Sequence, residues 1–340
     1  MFGSSIVTSM SECRACELLF QNPQIQPDHI HEAYSTYYTH AVTHKKPEEI
    51  AADSAQLSWK ARLKRSIKGI GFIYRAVVAY FHLVDAAPLR AAAFRYGYLK
   101  SCPLRFRLFA WSPRRCEIGD RLLMFLAPKQ SGRLLDFGCG NGEFIQRMSS
   151  LGWQADGIEF DQQAVDFASK LNPASRIIQG GAEQIDKLPQ DHYDAVTLYG
   201  VIEHVHDPKS LVQKIYRILK PGGKLVMLTP NTASVGHSKF GRSWRGLEPP
   251  RHLWLFNQKN MKQIFSGSGY RSVEITSSSE LALYIWAMSR EIELGKFHFA
   301  RIPRRKFRIE AWLNYYSIWI RDLLGGKPLE KDSIKILAVK

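Results

Sequence analysis

The chain has 340 residues, 45% of them hydrophobic, which excludes a wholly disordered polypeptide and allows a sizeable core. Five cysteines without regular spacing exclude a disulfide scaffold, and no basic leader precedes an apolar run, so we expect a cytoplasmic protein. The formal net charge is +16, and most of it lies in two segments, 58–115 and 296–327. Such basic surface suits nucleic acid, anionic lipid or an acidic substrate, and composition does not choose among them.

The first 115 residues are predicted to form an N-terminal extension with a short head and a basic, aromatic-rich helical stretch. The head contains Cys13-Arg-Ala-Cys16, which resembles the second half of a zinc ribbon. A tetrahedral zinc site needs four ligands, and the chain has no second Cys-x-x-Cys, so we predict no structural zinc. The longest charge-free run of the basic stretch, 76–84, is too short to span a membrane, which takes ~20 apolar residues.

Residues 116–340 are predicted to form an α/β domain with a helical insertion at about 280–330. The predicted strands are Arg133–Phe137, Gln154–Glu159, Ser175–Gln179, Tyr193–Tyr199, Lys224–Thr229, Tyr270–Thr276 and a closing run, Ile336–Val339. The predicted helices are Glu143–Leu151, Gln162–Leu171, Pro208–Leu219 and Gln258–Ser266, the third ending at a Lys-Pro-Gly-Gly turn. This alternation predicts a doubly wound, Rossmann-like sheet, and the helical basic additions at both ends are expected to form a lid.

The first strand of this domain runs into a glycine-rich turn, Asp136-Phe-Gly-Cys-Gly-Asn-Gly142, and then into a helix. Glycines allow a ligand to approach the backbone closely, and the helix N-terminus offers N–H groups to an anion. Glu159 ends the second strand, where a carboxylate can accept both hydroxyls of a ribose, and Asp161 is placed to cap the next helix. Glu143 stands where a dinucleotide fingerprint needs a third glycine, which disfavours NAD.

Further motifs follow in a fixed order. They are Gly180-Gly-Ala-Glu183, the segment Tyr193–Pro208, and Leu219-Lys-Pro-Gly-Gly223. Together with the glycine loop and Glu159, they resemble class I S-adenosylmethionine-dependent methyltransferases. The resemblance covers about 116–280 and points to the group that contains ubiquinone-biosynthesis O-methyltransferases and glycan-cluster methyltransferases. It implies S-adenosylmethionine as the cofactor.

The resemblance also implies roles for individual residues. The loop backbone would hold the methionine portion of the cofactor, Glu159 the ribose, and Phe160 the adenine face. Ala182 and Glu183 would line the adenine edge, although Gly181 stands where the family often has an aspartate. The implied cofactor-binding set is Asp136, Gly138, Cys139, Gly140, Gly142, Glu159, Phe160, Ala182, Glu183, Tyr199 and Gly200, of which the last two would border the transferred methyl group.

An oxygen acceptor gains from a general base, which contributes ~10²–10⁴-fold to a rate. The candidates are His252 first and His204 second, whereas His206 is expected to be exposed. Arg251 is suited to an anionic group of the acceptor, because its planar fork binds oxygen pairs. Two structural alternatives remain open: a hydrogen-bonded loop histidine at 204, and a buried pair between Arg251 and Glu248. We predict no metal at this site.

The sequence therefore predicts methylation of oxygen in a small-molecule, glycan or lipid-linked acceptor. The basic aromatic segments are interpreted as a lid, as a lid that also contacts an anionic membrane surface at the inner face, or as a nucleic-acid surface. A nucleic-acid methyltransferase is disfavoured, because the segment after the fourth strand, Leu198-Tyr-Gly-Val201, lacks the Asn/Asp-Pro-Pro-aromatic motif of amino-methylating DNA enzymes. The third alternative is a non-catalytic cofactor-binding module.

Overall fold

The computed structural model describes residues 9–26, 29, 88–104, 107, 113–129, 132–279, 282–297, 303, 305–324 and 330–340. It divides the chain into two compact units: Met1–Tyr37 together with Lys129–Lys340, and Tyr38–Pro128. The predicted boundary between residues 115 and 116 stays a prediction. In the smaller unit, the described residues include a helical stretch at 88–95 and α1 (Pro113–Leu122). The first part of the predicted basic helical stretch, 69–87, lies outside the described residues.

The larger unit is built on a mixed seven-stranded sheet. Its strands are β3 (Arg133–Phe137), β4 (Gln154–Glu159), β5 (Ile177–Gln179), β6 (Tyr193–Tyr199), β7 (Leu219–Pro230), β9 (Ser272–Ser278) and β10 (Ser333–Val339). Their order across the sheet is β5-β4-β3-β6-β7-β10-β9. The pairs among the first five strands are parallel, and β10 is antiparallel to both neighbours. The predicted doubly wound α/β fold is confirmed.

Helices connect these strands, as periodicity and capping residues predict. They are α2 (Glu143–Ser150), α3 (Gln162–Leu171), α4 (Pro208–Ile218), α5 (Val235–Phe240) and α6 (Gln258–Phe265). The Asp161 side chain accepts the Ala164 N–H at 2.8 Å and caps α3, as predicted. Asp207 caps α4 in the same way, and Pro208 starts its first turn, where no backbone donor is needed. The buried faces of α4 and α6 pack on a continuous core that includes residues of β3, β6 and β7.

The predicted bounds of β3, β4, β6 and α3 agree with the structure to the residue. The Lys-Pro-Gly-Gly sequence ends α4 as expected, but the predicted turn there is wrong. Leu219 already pairs with Tyr193, so β7 starts five residues earlier than the predicted Lys224. Its register with β6 shifts between Leu219 and Lys224. Gly222, with a φ of 76°, absorbs that irregularity without steric strain.

The N-terminal head is a hairpin of β1 (Ser9–Glu12) and β2 (Leu19–Asn22), with Cys13 and Cys16 at its turn. Strand β2 also pairs with β8 (Trp254–Leu255), which gives a separate three-stranded sheet. The head is therefore attached, through β8, to the segment that carries Arg251 and His252. The prediction that the two cysteines hold no zinc stays a prediction.

Two helices, α7 (Ala282–Glu293) and α8 (Arg305–Leu323), lie in the predicted insertion. The inner face of α8 buries Phe307 and Ala311 against α7, whereas Trp312 and Leu313 are 48% and 57% exposed. Among the residues described, no helix is both long and apolar enough to cross a bilayer. The lid role of these helices stays a prediction.

Candidate functional site

The turn after β3 contains three glycines in left-handed conformations, with φ of 79° at Gly138, 53° at Gly140 and 76° at Gly142. A Cβ at Gly138 would lie 2.4 Å from the Val201 side chain, and one at Gly142 would lie 2.6 Å from the amide nitrogen of Asn172. A Cβ at Gly140 would meet no atom within 4 Å. Packing therefore requires the outer two glycines, while Gly140 borders open space, as a ligand-facing position must.

Asp136 lies beneath this turn and is buried. The Thr197 hydroxyl donates to its carboxylate at 2.7 Å. Burial, together with the nearby negative charge of Glu159, raises the pKa of Asp136 to about 7, although the hydrogen bond from Thr197 opposes the shift. A cationic ligand group beside Asp136 would favour its charged form.

Glu159 is held by two backbone donors at the end of β4. Its Oε2 accepts the Gly140 N–H at 2.8 Å, and its Oε1 accepts the Asp161 N–H at 3.1 Å. Each carboxylate oxygen can accept more than one hydrogen bond, so this arrangement leaves capacity for two ribose hydroxyls. The sequence predicted the carboxylate at this strand end but not its bond to the glycine turn.

The predicted adenine-contacting residues lie on the neighbouring strand ends. Phe160 follows Glu159 and is 49% exposed, so its ring is accessible to a ligand at this strand end. Ala182 begins a short 3-10 turn, Ala182–Lys187, and is half-buried. Glu183 is exposed, and its carboxylate accepts the Gly181 N–H at 2.7 Å. Glu183 therefore stabilises its own turn, and its role toward adenine stays a prediction.

The remaining predicted cofactor residues contribute backbone or shape. Cys139 is buried, its N–H donates to Ile158, and burial raises the pKa of its thiol, so it carries no thiolate. Tyr199 ends β6 and is half-buried, and Gly200 follows with a φ of 65° and donates its N–H to Leu228 at 2.9 Å. The end of β6 is thus placed opposite the glycine turn by the parallel pairing of β3 with β6.

A cluster of three titratable side chains lies just beyond β6, where the 3-10 turn Ile202–His204 meets the segment before β8. The ligand atoms of Glu203, His204 and His252 all lie within 4.8 Å of one another. The two imidazole rings are 4.7 Å apart and edge to face. The sequence predicted both histidines but missed Glu203, although a carboxylate adjacent to a candidate base was an available signal.

Backbone carbonyls orient both imidazoles. Nδ1 of His204 lies 2.9 Å from the Arg251 carbonyl oxygen, and Nδ1 of His252 lies 2.7 Å from that of Gly246. Because a carbonyl only accepts, each Nδ1 carries a proton. His204 also contacts the Gly200 carbonyl, which places it next to the strand end expected to border the methyl group. His204 is half-buried, whereas His252 is only 5% exposed.

The cluster is electrically neutral near pH 7. Burial raises the pKa of Glu203 to about 8, although the Thr229 hydroxyl donates to it at 3.0 Å. Burial, followed by the neighbouring His204, lowers the pKa of His252 to about 3, and burial also lowers the pKa of His204. A protonated carboxyl and two neutral imidazoles can hydrogen-bond a hydroxyl, and the same donor set could take a divalent ion if Glu203 lost its proton. The prediction of no metal here stays a prediction.

Arg251 is 2% exposed and lies in a buried ion network with Glu248 and Arg245. Burial alone would raise the pKa of Glu248, but the charges of the two arginines lower it below its usual range. Of the two interpretations that the sequence allowed for Arg251, the structure shows the buried pair with Glu248. The network fixes the segment that carries His252, and Arg251 does not present its fork to solvent.

Comparisons with known proteins identify the family of this part of the chain. The sequence model of the family described as "Methyltransferase domain" matches residues 110–275. The chain carries an S-adenosylmethionine-dependent methyltransferase domain. The match includes the glycine turn, Glu159 and the Glu203–His204–His252 cluster, so every part of the site described above lies within the methyltransferase domain.

Curated relatives are about one-third identical to this chain over the aligned stretches. The ubiquinone biosynthesis O-methyltransferase of Xanthomonas oryzae pv. oryzae is 34% identical over 103 residues, which is 29% of this chain and 43% of that protein. The one from Paracidovorax citrulli is 34% identical over 111 residues, or 31% of this chain and 47% of that protein. The chain thus spans less than half the length of these relatives.

Solved structures are similar at lower identity. An Archaeoglobus fulgidus S-adenosylmethionine-dependent methyltransferase is 20% identical with a TM-score of 0.44, covering 69% of this chain and 99% of that one. A Haemonchus contortus phosphoethanolamine N-methyltransferase 2, in complex with S-adenosyl-L-methionine, is 19% identical with a TM-score of 0.43, covering 69% and 59%. The fold assignment rests on the strand order of the seven-stranded sheet described above.

Proposed function

We propose that the protein transfers the methyl group of S-adenosylmethionine to a hydroxyl oxygen of a small-molecule acceptor. The observation that carries the proposal is the Glu203–His204–His252 cluster, which begins three residues beyond Gly200 at the end of β6. The cofactor supplies an activated methyl group on a positively charged sulfur. The residues of the chain then have two tasks, which are to align the acceptor with that methyl group and to accept the hydroxyl proton.

His204 is the better placed of the two histidines for the second task. It is half-buried and contacts the Gly200 carbonyl, whereas His252 is 5% exposed and lies behind it, edge to face. As the hydroxyl oxygen forms its bond to the methyl carbon and the carbon–sulfur bond breaks, His204 accepts the hydroxyl proton. His252 and Glu203 pack beside it and keep its ring oriented. The sequence favoured His252 as the base, and turnover that is retained in His204→Ala but lost in His252→Ala would return that role to His252.

The proposal has a second part, which concerns the class of acceptor. The outer face of α8 exposes Trp312, Leu313 and Ile320 beside the exposed cations Arg308 and Arg321. Aromatic and aliphatic side chains flanked by cations suit the headgroup region of an anionic bilayer. This face supports a lipid-linked acceptor, such as a lipid-linked glycan, presented at an anionic membrane surface.

The test uses tritiated S-adenosylmethionine with the full-length protein and a panel of phenols, catechol, sugars, total RNA and duplex DNA. We expect label on a hydroxyl compound and no turnover for His204→Ala, with unchanged cofactor affinity by calorimetry. Cofactor binding without label on any acceptor would support a non-catalytic module, and label on RNA or DNA would support a nucleic-acid enzyme.

The membrane part is tested by flotation with vesicles that contain phosphatidylglycerol. Binding that falls when Trp312 and Leu313 are both changed to serine would support it. Equal flotation of the double variant would refute a role for this face.

A further inference from the structure

Gln21, on strand β2 of the N-terminal hairpin, is a polar side chain in an unexpected place. It is only 1% exposed, although both neighbours in sequence are more accessible. Its Nε2 donates to the Pro250 carbonyl at 2.8 Å, and its Oε1 accepts the Ile25 N–H at 2.9 Å. Its own backbone N–H donates to the Leu253 carbonyl at 2.9 Å. Gln21 thus bonds to backbone groups on both sides of the Arg251-His252 dipeptide.

Ile25, which follows the hairpin, contacts the loop that carries His204. The Nε2 of His206 donates to the Ile25 carbonyl at 2.8 Å, two residues beyond His204. The sequence led us to expect His206 to be exposed, but it is half-buried, because this contact covers it. Residues Gln21 to Ile25 therefore contact both loops that supply the Glu203–His204–His252 cluster.

The two loops also bond directly to each other. The Leu253 N–H donates to the Glu203 carbonyl at 2.8 Å, and the Trp254 indole donates to the Val205 carbonyl at 3.0 Å. These bonds join adjacent sides of the loops, while Gln21 and Ile25 bridge them from outside. Within residues 200–207 and 244–253, regular secondary structure is limited to one 3-10 turn each, so the separation of these two loops depends on such bonds.

We infer that Gln21 is a positioning residue for methyl transfer, which sets the distance between the loops of His204 and His252 and thereby the alignment of the acceptor. The inference rests on the proposed function. Its physical reason is that removing the amide leaves the Pro250 carbonyl and the Ile25 N–H buried without partners. Loop movement of about 1 Å is enough to lower a rate by ~100-fold when alignment carries the catalysis.

This role is separable from cofactor binding. None of the hydrogen bonds of Gln21 among the described residues reaches the glycine turn or Glu159, whose carboxylate accepts from the Gly140 and Asp161 N–H groups. Loss of Gln21 is therefore expected to affect the acceptor step and not the affinity for S-adenosylmethionine.

The experiment compares Gln21→Leu, Gln21→Glu and a control, Ser11→Ala, whose hydroxyl in the same hairpin accepts only from Asn22. Gln21→Leu is expected to lower kcat by about tenfold or more and to leave cofactor affinity within about twofold. In Gln21→Glu, burial without a cation is expected to keep the carboxyl protonated, so that it accepts from the Ile25 N–H and still donates to the Pro250 carbonyl, and its kcat is expected to be intermediate. Ser11→Ala is expected to match the wild type.

Hydrogen exchange measured by mass spectrometry, without any acceptor, gives a readout that does not depend on activity. Exchange is expected to rise in peptides covering 201–207 and 250–255 for Gln21→Leu, and to stay unchanged in 136–161. Wild-type kcat in Gln21→Leu, or faster exchange confined to the hairpin, overturns the inference. If the wild type methylates nothing, the proposed function fails and the exchange pattern alone decides the positioning role. If Gln21→Leu does not fold, Gln21→Glu supplies both readouts.

Discussion

Replacing Asp136 by asparagine is the sharpest test of the electrostatics beneath the glycine turn. The carboxyl group is buried, accepts a hydrogen bond from Thr197 at 2.7 Å, and has a pKa raised to about 7, first by burial. Asparagine has nearly the same shape, and its side-chain oxygen can accept the same bond, but it carries no charge. The substitution therefore removes the cost of the buried charge and keeps most of the packing.

The magnitude follows from the pKa of Asp136. Raising that pKa from 3.8 to about 7 corresponds to ~4 kcal/mol, because each pKa unit is equivalent to about 1.4 kcal/mol. Below pH 4 the group is protonated in both the folded and the unfolded state, so the wild type and Asp136→Asn should be equally stable. Between pH 4 and 7 only the unfolded state ionises, which destabilises the wild type progressively. Above pH 7 the variant should be more stable by up to ~4 kcal/mol.

Urea unfolding of the two proteins at pH 5, 6, 7 and 8 measures this difference. The exposed Asp166→Asn on α3 serves as the control and should show no such pH dependence. At pH 8, the variant is also expected to bind S-adenosylmethionine more weakly, since the cofactor amino group loses an anionic partner. A stability difference between the wild type and Asp136→Asn that does not grow from pH 5 to pH 8 would refute the reasoning.

Other expectations concern the two halves of the site. Glu159→Gln is expected to weaken S-adenosylmethionine binding by ~10-fold or more in calorimetry, since charge-assisted bonds are the stronger ones, and unchanged affinity would exclude a ribose contact. Because burial lowers the pKa of His204, its neutral form persists below pH 6.5, so kcat at saturating cofactor should fall only as the pH drops further. His252→Ala should move that acidic limb, since the two rings are coupled; an unmoved limb would count against this. Treatment with EDTA should leave turnover unchanged, and a loss that Mg²⁺ or Mn²⁺ restores would make the cluster a metal centre.

The placement of the residues expected to bind the cofactor was largely predictable from the sequence. The glycine turn, Glu159 and the cap at Asp161 each depend on a few adjacent residues and on one rule, that the carboxyl ends of parallel strands share an edge. The alternation of strands and helices predicted the doubly wound sheet but not the order of its strands. The sequence could not show that Glu159 accepts the Gly140 N–H, because that bond links different loops of the sheet edge.

The acceptor half was less predictable, for a physical reason. Glu203 and His252 meet only after a turn, a helix, a strand and a buried ion network have been placed, and no local pattern encodes that meeting. Arg251 illustrates the same limit. Its sequence context suited both an anion site and a pair with Glu248, and burial to 2% exposure selected the pair. Gln21, more than 200 residues from Pro250, gave no signal at all.

The neutrality of the Glu203–His204–His252 cluster joins these observations. Three buried titratable groups could carry charges only with partners, and the nearest charged groups are the buried network of Glu248, Arg245 and Arg251. Arg245 and Arg251 lie beside Glu248 and lower its pKa. The Glu203–His204–His252 cluster has no such cation of its own among the described residues, and it stays uncharged because Glu203 keeps its proton. A neutral imidazole beside a protonated carboxyl would accept the hydroxyl proton more readily as the positive charge of an adjacent sulfonium is discharged by transfer of its methyl group. We therefore expect proton acceptance at the proposed base, His204, to accompany methyl transfer and not to precede it.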